Sequence, residues 1–266
     1  MIHLGVNTVL FAGFDLRTAL KHIRWAGFDG AEISAIQGVC EHLVLDNWKR
    51  DAPSVKAIAR DLDVPLTAIE VGELNEERLL KAFDAGAEMG IRIINISAGG
   101  TPDSAEDWRR SMEALARMTD KAEELGMVLC VKARVGSVIH NTETTLQAMA
   151  EIDSPAFGID MDPSHIHRAG EEPKAALKQV ITKVRHVHIR DCKGEGPGPG
   201  RPEEQACGRG DVELFGYSKV LVEADYSGPV NLEIMGARDY DLSRCAIIAA
   251  ESHGYLNACL GLCGGR

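Results

Sequence analysis

The sequence predicts a closed, parallel, eight-stranded barrel, a single (β/α)8 TIM barrel spanning residues 1–266. Three observations predict it. The chain has 266 residues, close to the ~250 that such a barrel uses. Short apolar, β-branched runs alternate strictly with longer amphipathic segments, the pattern of a parallel sheet covered by helices. The turn after the first strand reads Phe11-Ala12-Gly13-Phe14, without the Gly-rich phosphate loop that an open dinucleotide-binding sheet carries there.

The eight strands are expected, in order, at His3–Leu10, Gly30–Ile33, Leu66–Val71, Ile93–Ser97, Val128–Ala133, Phe157–Met161, His186–Arg190 and Val230–Met235. Helical periodicity lies between them, for instance over Ala105–Leu125 and Leu146–Ile152. Asp15, Asp46, Asn75 and either Asp103 or Ser104 have the short polar side chains of helix N-caps. Gly27, Gly90, Gly126 and Gly228 stand where helices hand over to strands. Between Cys192 and Asp211 a tract rich in glycine and proline follows strand seven. Its composition predicts a long irregular loop over the barrel mouth, acting as a lid.

Composition excludes several classes of function. With 45% hydrophobic residues the chain can bury a large core. Its 40 acidic and 29 basic residues leave a net charge of -11. The densest basic run is Trp108-Arg109-Arg110, so nucleic acid and anionic membrane surfaces are not expected partners. No run approaches the ~18 apolar residues of a membrane span. The start, MIHLGVNTVLFAGF, reads as a first strand rather than a signal peptide. The seven cysteines include no C-x-x-C pair, the pattern of reduced thiols. A cytoplasmic protein acting on a small molecule is expected; homo-oligomerisation stays open.

Chemistry in such barrels comes from the C-terminal ends of strands. Strand six ends in Asp160-Met161-Asp162-Pro163-Ser164-His165, and Pro163 stops it so that Asp162 falls at the tip. Strand seven carries His186-Val187-His188-Ile189-Arg190-Asp191, and strand eight carries Glu233. Residues two apart share a face. A carboxylate from Asp160 or Asp162, an imidazole from His186 or His188, and Glu233 therefore form a mixed oxygen and nitrogen set at successive strand ends, suited to Mn²⁺, Co²⁺, Fe²⁺ or Zn²⁺. Lys132 and Arg134 on strand five share the inward parity. Glu70, Glu32 and Asn7 are candidates to line the mouth.

The segments FGIDMDPSHIHRAG, VRHVHIRDCKG, GFDGAEIS and the stretch from Gly208 to Ile234 resemble the xylose isomerase-like TIM barrels. That superfamily holds sugar and sugar-phosphate isomerases and epimerases, hydroxypyruvate isomerase, inosose dehydratase and endonuclease IV. The resemblance implies a divalent metal (manganese, cobalt, zinc or magnesium) on Asp162, His188 and Glu233, with His165 at the substrate. It implies proton abstraction next to a carbonyl by Glu233, on a small sugar, keto-sugar or sugar phosphate. Arg134, Asp191 and Glu70 are expected to bind that substrate.

One departure stands out in strand five, where the family commonly reads L-x-L-E-x-H-x-G-S. Here the metal-binding Glu is replaced by Lys132, and the neighbouring His by Arg134. An ammonium has no lone pair to offer a cation. Three outcomes are open: a metal held by three ligands, a lysine turned to the substrate, or an ammonium in the metal's place. Lys132 also becomes a candidate acid–base partner for Glu233. A keto-sugar dehydratase or lyase on the same site, and an inactive sugar-binding barrel, are the alternative readings.

Overall fold

In the computed structural model, which describes residues 1–266, eight parallel strands close on themselves. They are β1 (His3–Asn7), β2 (Gly30–Ile36), β3 (Leu66–Glu73), β4 (Ile93–Ser97), β5 (Val128–Lys132), β6 (Phe157–Met161), β7 (Val184–Ile189) and β8 (Pro229–Leu232). Each strand pairs with its neighbours in sequence, and β1 pairs with both β2 and β8. That last pairing makes the sheet a barrel. Gly5 lies beside Gly30 on one side and Asn231 on the other. A Cβ at Gly5 would overlap the Asn231 side chain, so the barrel floor needs a glycine there.

Helices cover the outside. Asp15, Asn75 and Ser104 accept from backbone N–H groups of the first helical turn, as their side chains predict. Asp46 does not: the helix Trp48–Asp61 follows Asn47 and has no side-chain cap. Gly90 closes the helix Glu76–Met89 at φ 79°, a left-handed position that favours glycine. The apolar core fills the space between strands and helices, with Phe11, Phe28, Phe83 and Phe157 fully buried.

Several element bounds differ from the sequence reading. β1 stops at Asn7, because the Asn7 side chain accepts from Val9 N–H and opens a short 3-10 turn, Thr8–Phe11. The helix expected over Leu146–Ile152 starts earlier, at Thr142, behind an Asn141–Thr144 capping box. The stretch after β7 is only half irregular. Its second part forms a short helix, Pro202–Gln205, and buries Gln205, Ala206 and Cys207. No helix is long and apolar enough to cross a membrane. All seven cysteines are free thiols.

Candidate active site

The C-terminal ends of the strands surround a cavity of about 600 Å³. β5 delivers Lys132 to its floor, in register with Ser97 of β4 and Asp160 of β6. Lys132 is only 4% exposed, and its ammonium is ringed by carboxylates. Nζ donates to Glu233 Oε1 at 2.9 Å and to Glu70 Oε1 at 3.4 Å, with Asp160 Oδ2 at 3.8 Å. Arg190, just past β7, reaches Asp162 Oδ2 at 3.0 Å and Glu233 Oε2 at 3.1 Å. Glu233 therefore lies between two cations. Asp162 caps the helix Pro163–Arg168, accepting from the backbone N–H and hydroxyl of Ser164.

Beneath this layer lies a fully buried polar network. Asp160 accepts from the backbone N–H of His188 and contacts His186 Nδ1 at 2.9 Å and His188 Nδ1 at 2.6 Å. The other ring nitrogen of His188 contacts Glu32 Oε2 at 2.5 Å. Glu32 also accepts from Asn7 and Asn95, and Asn7 donates to Glu70. Asn231 donates to His186 Nε2. None of Asn7, Glu32, Asn95, Asp160, His186, His188 and Asn231 is exposed at all; each buried polar group needs these partners to offset its lost hydration.

Charge follows from this geometry. Burial pulls the His188 imidazole toward neutrality, but Asp160 and Glu32 outweigh it and hold the ring protonated well above the usual histidine range. Burial likewise opposes charge on Lys132, and the carboxylates of Glu233, Glu70 and Asp160 outweigh it. Glu233 is buried, yet Lys132 and Arg190 keep its carboxyl well below the ordinary range. Glu70 goes the other way. Burial, reinforced by the Glu233 charge, pushes it up to about 8. The two glutamates on one ammonium are thus an ionised and a protonated carboxyl near neutral pH.

A metal ion could be held by atom spacing alone. Glu70, His188 and Glu233 each bring a donor atom within 4.8 Å of the others, as do Glu32, His186 and His188. In this arrangement the same atoms are hydrogen-bonded and ion-paired to one another. His188 is hydrogen-bonded to a carboxylate at both ring nitrogens, and an imidazolium has no lone pair to give. The Lys132 ammonium and the Arg190 guanidinium are already ion-paired with Glu233 and Asp162. So arranged, the donor atoms of Asp162, His188 and Glu233 are engaged within the protein, and the trio whose spacing suits an ion has Glu70 in place of Asp162.

The remaining expected residues fall in different places. Glu70, Arg134 and His165 line the cavity with Lys132 and Glu233. Asp191 does not. Its buried carboxylate accepts from the N–H groups of Cys192, Gly208 and Val212 and so ties down both ends of the loop after β7. Arg190 and Arg168 have no role in the sequence reading, yet both line the cavity. Arg190 shares the parity of His186 and His188, a signal that could have placed it inward. Arg168 lies on a six-residue helix that no periodicity announces. From the first half of the loop, Pro197 and Pro199 reach the cavity wall.

Comparison with known proteins agrees with this architecture. An inosose dehydratase from Clostridium perfringens is 24% identical over 276 aligned positions, covering 87% of this chain and 89% of that protein. The solved xylose isomerase domain protein of Planctomyces limnophilus superposes with a TM-score of 0.81 at 18% identity, over 100% of this chain and 99% of that one. The 3-keto-D-glucoside 4-epimerase of E. coli gives 0.77 at 20% identity, over 97% and 100%. The family model of the xylose isomerase-like TIM barrel matches residues 20–252, and the chain belongs to that family.

Proposed function

We propose that the chain is an isomerase or epimerase of a small keto-sugar or sugar phosphate, working by proton transfer at a carbon next to the carbonyl. The observation that carries this reading is the Lys132 ammonium, 2.9 Å from Glu233 and 3.4 Å from Glu70 on the cavity floor. Proton removal next to a carbonyl needs a base for the C–H proton and positive charge for the oxygen that receives the electron pair. Lys132 and Arg190 supply the charge, and Glu233 is the base. Before a substrate enters, the ion pair with Lys132 masks Glu233. A substrate carbonyl that takes over the ammonium leaves Glu233 Oε1 free to accept the proton.

Glu70 is the complementary acid. Its carboxyl, at about 8, is protonated near neutral pH, and paired carboxyls pushed apart in this way divide base and acid roles. Delivery of the Glu70 proton to the opposite face of the same carbon gives the epimer. Return of the proton from Glu233 to the neighbouring carbon, with the hydroxyl proton of the first carbon passing to the former carbonyl oxygen, gives the isomer. Glu233 Oε2 has no well-aligned hydrogen-bond donor although it is buried, and a substrate hydroxyl would provide one. Relatives support the class: one is named for epimerising a 3-keto-D-glucoside, another for dehydrating an inosose. The second name favours a further outcome, in which the Glu70 proton leaves with a hydroxyl as water.

Deuterium exchange tests this reading without presupposing the product. Wild-type protein in D₂O is offered a panel of ketoses, an inosose and a 3-keto-D-glucoside, and NMR follows the C–H signals next to each carbonyl. Exchange on at least one compound, lost in Glu233→Gln, is expected. No exchange across the panel by folded protein would leave the inactive-barrel reading in its place.

A further inference from the structure

The wall of the cavity carries Arg78, Lys132, Arg134, Arg168 and Arg190 against the carboxyls of Glu70, Glu73 and Glu233. That is a cationic lining in a chain of net charge -11. Lys132 and Arg190 are neutralised by the carboxylates of the site. Arg168 is not. It is only 5% exposed, and its hydrogen-bond partners are the carbonyls of Ser164 and Pro197 and the ring of His165. None of them carries negative charge. A buried guanidinium without a counter-charge is costly, and it faces a cavity.

His165 sharpens the point. Arg168 Nη2 lies 2.8 Å from its Nδ1 and Arg190 Nη2 lies 2.9 Å from its Nε2. The backbone N–H of Val135 also points at Nδ1, at 3.2 Å. A neutral imidazole has one acceptor nitrogen and one N–H. Whichever tautomer forms, one of the two guanidinium groups meets a ring N–H instead of an acceptor. More donors converge here than acceptors.

We infer that Arg168, with His165 and Arg134, forms an oxyanion subsite, which binds a carboxylate or phosphate group of the substrate while Lys132 and Glu233 act on its carbonyl end. Arg134 belongs to it because it precedes Val135, lines the same cavity and is 45% exposed at its side chain, with only Glu73 at 3.3 Å and Ser97 at 3.4 Å as partners. Guanidinium groups suit both anions, since their paired N–H groups match the geometry of carboxylate and phosphate oxygens. This inference rests on the proton-transfer reading for the place of the carbonyl, but the binding of an anion does not depend on turnover.

Isothermal titration of wild-type protein with inorganic phosphate, and separately with malonate, tests it. At least one anion is expected to bind with a millimolar or tighter Kd, weakened tenfold or more in Arg168→Gln and at least threefold in Arg134→Gln. Binding of phosphate alone identifies a phosphate ester as the substrate's anionic group; binding of malonate alone identifies a carboxylate. If Arg168→Gln does not fold, the half-exposed Arg134→Gln decides by the same criterion. Absence of binding by both anions, or binding unchanged in the folded variants, overturns the subsite. Deuterium exchange measured in parallel reports on the proton-transfer reading alone, so failure of one is distinct from failure of the other.

Discussion

At position 132 the chain places a monovalent, proton-bearing charge among Glu70, Asp160 and Glu233. Lys132→Glu exchanges that charge for a ligand. The variant is expected to bind Mn²⁺ in a calorimetric titration in which the wild type shows none, and to lose deuterium exchange by ~10²-fold or more, the scale of a positioned acid–base group. Wild-type activity is expected to survive chelation. Unchanged metal binding and unchanged exchange in the variant would make Lys132 a bystander. Glu70 gives a pH signature. As an acid it works protonated, so activity should fall above pH about 8, and Glu70→Gln should lower the turnover that needs the acid at every pH and leave no such fall in what remains. Because its folded carboxyl holds a proton that the unfolded chain releases, this group also lowers stability as pH rises from about 4.5 to about 8. Asp160 and Glu233 do the opposite: their stabilisation is present above the ordinary carboxylate range and is lost on acidification. Strand parity was enough to aim Lys132 and Arg134 from the sequence. It could not pair Arg190 with Asp162 and Glu233, or leave Arg168 without a counter-charge, because those facts depend on neighbours more than 20 residues away.

At the level of elements, legibility follows the strength of the local signal. Strands bounded by glycine and proline, such as Ile93–Ser97 and Phe157–Met161, coincide with their expected limits. Where a side chain redirects the backbone, as Asn7 does, the limit shifts. The segment after β7 shows the largest gap, since glycine and proline content announces irregular backbone but not what anchors it. Asp191 is the anchor, with three backbone N–H groups on one buried carboxylate. Asp191→Ala strands those donors, at a cost of about 1–3 kcal/mol for each one left unsatisfied. Protease cleavage within residues 193–210 should speed up at least tenfold in the variant, ahead of global unfolding. Equal cleavage rates would show that the loop holds without it. The lid role has its own test. Arg168 Nη1 donates to the Pro197 carbonyl at 2.7 Å, so shortening residues 194–199 should weaken anion or substrate binding while leaving the fold intact.

Across the whole molecule, the closed barrel sets a cost that an open sheet would avoid. Closure forces inward-facing residues of all eight strands into one column, and here the upper part of that column is polar. Glu32 on β2 joins Asn7 on β1, Asn95 on β4 and His188 on β7 through side chains alone. It therefore braces strands that the chain brings together only when the barrel closes. Removing it leaves a protonated, fully buried His188 with one carboxylate where it had two, strands the Asn95 amide N–H and leaves Asn7 with Glu70 alone. Breaking a buried charge pair on one side costs about 3–5 kcal/mol, a large share of the total stability of a folded domain. Glu32→Ala is expected to lower the urea midpoint by an amount equivalent to that cost, with the slope of the transition unchanged because the same surface is exposed on unfolding. Glu32→Gln keeps an acceptor toward one side only, turns an amide N–H toward a donor on the other, and loses the charge; it should fall between wild type and alanine. If both variants unfold at the wild-type midpoint, the network contributes nothing to closure, and the barrel is held by its backbone ladder and apolar core alone.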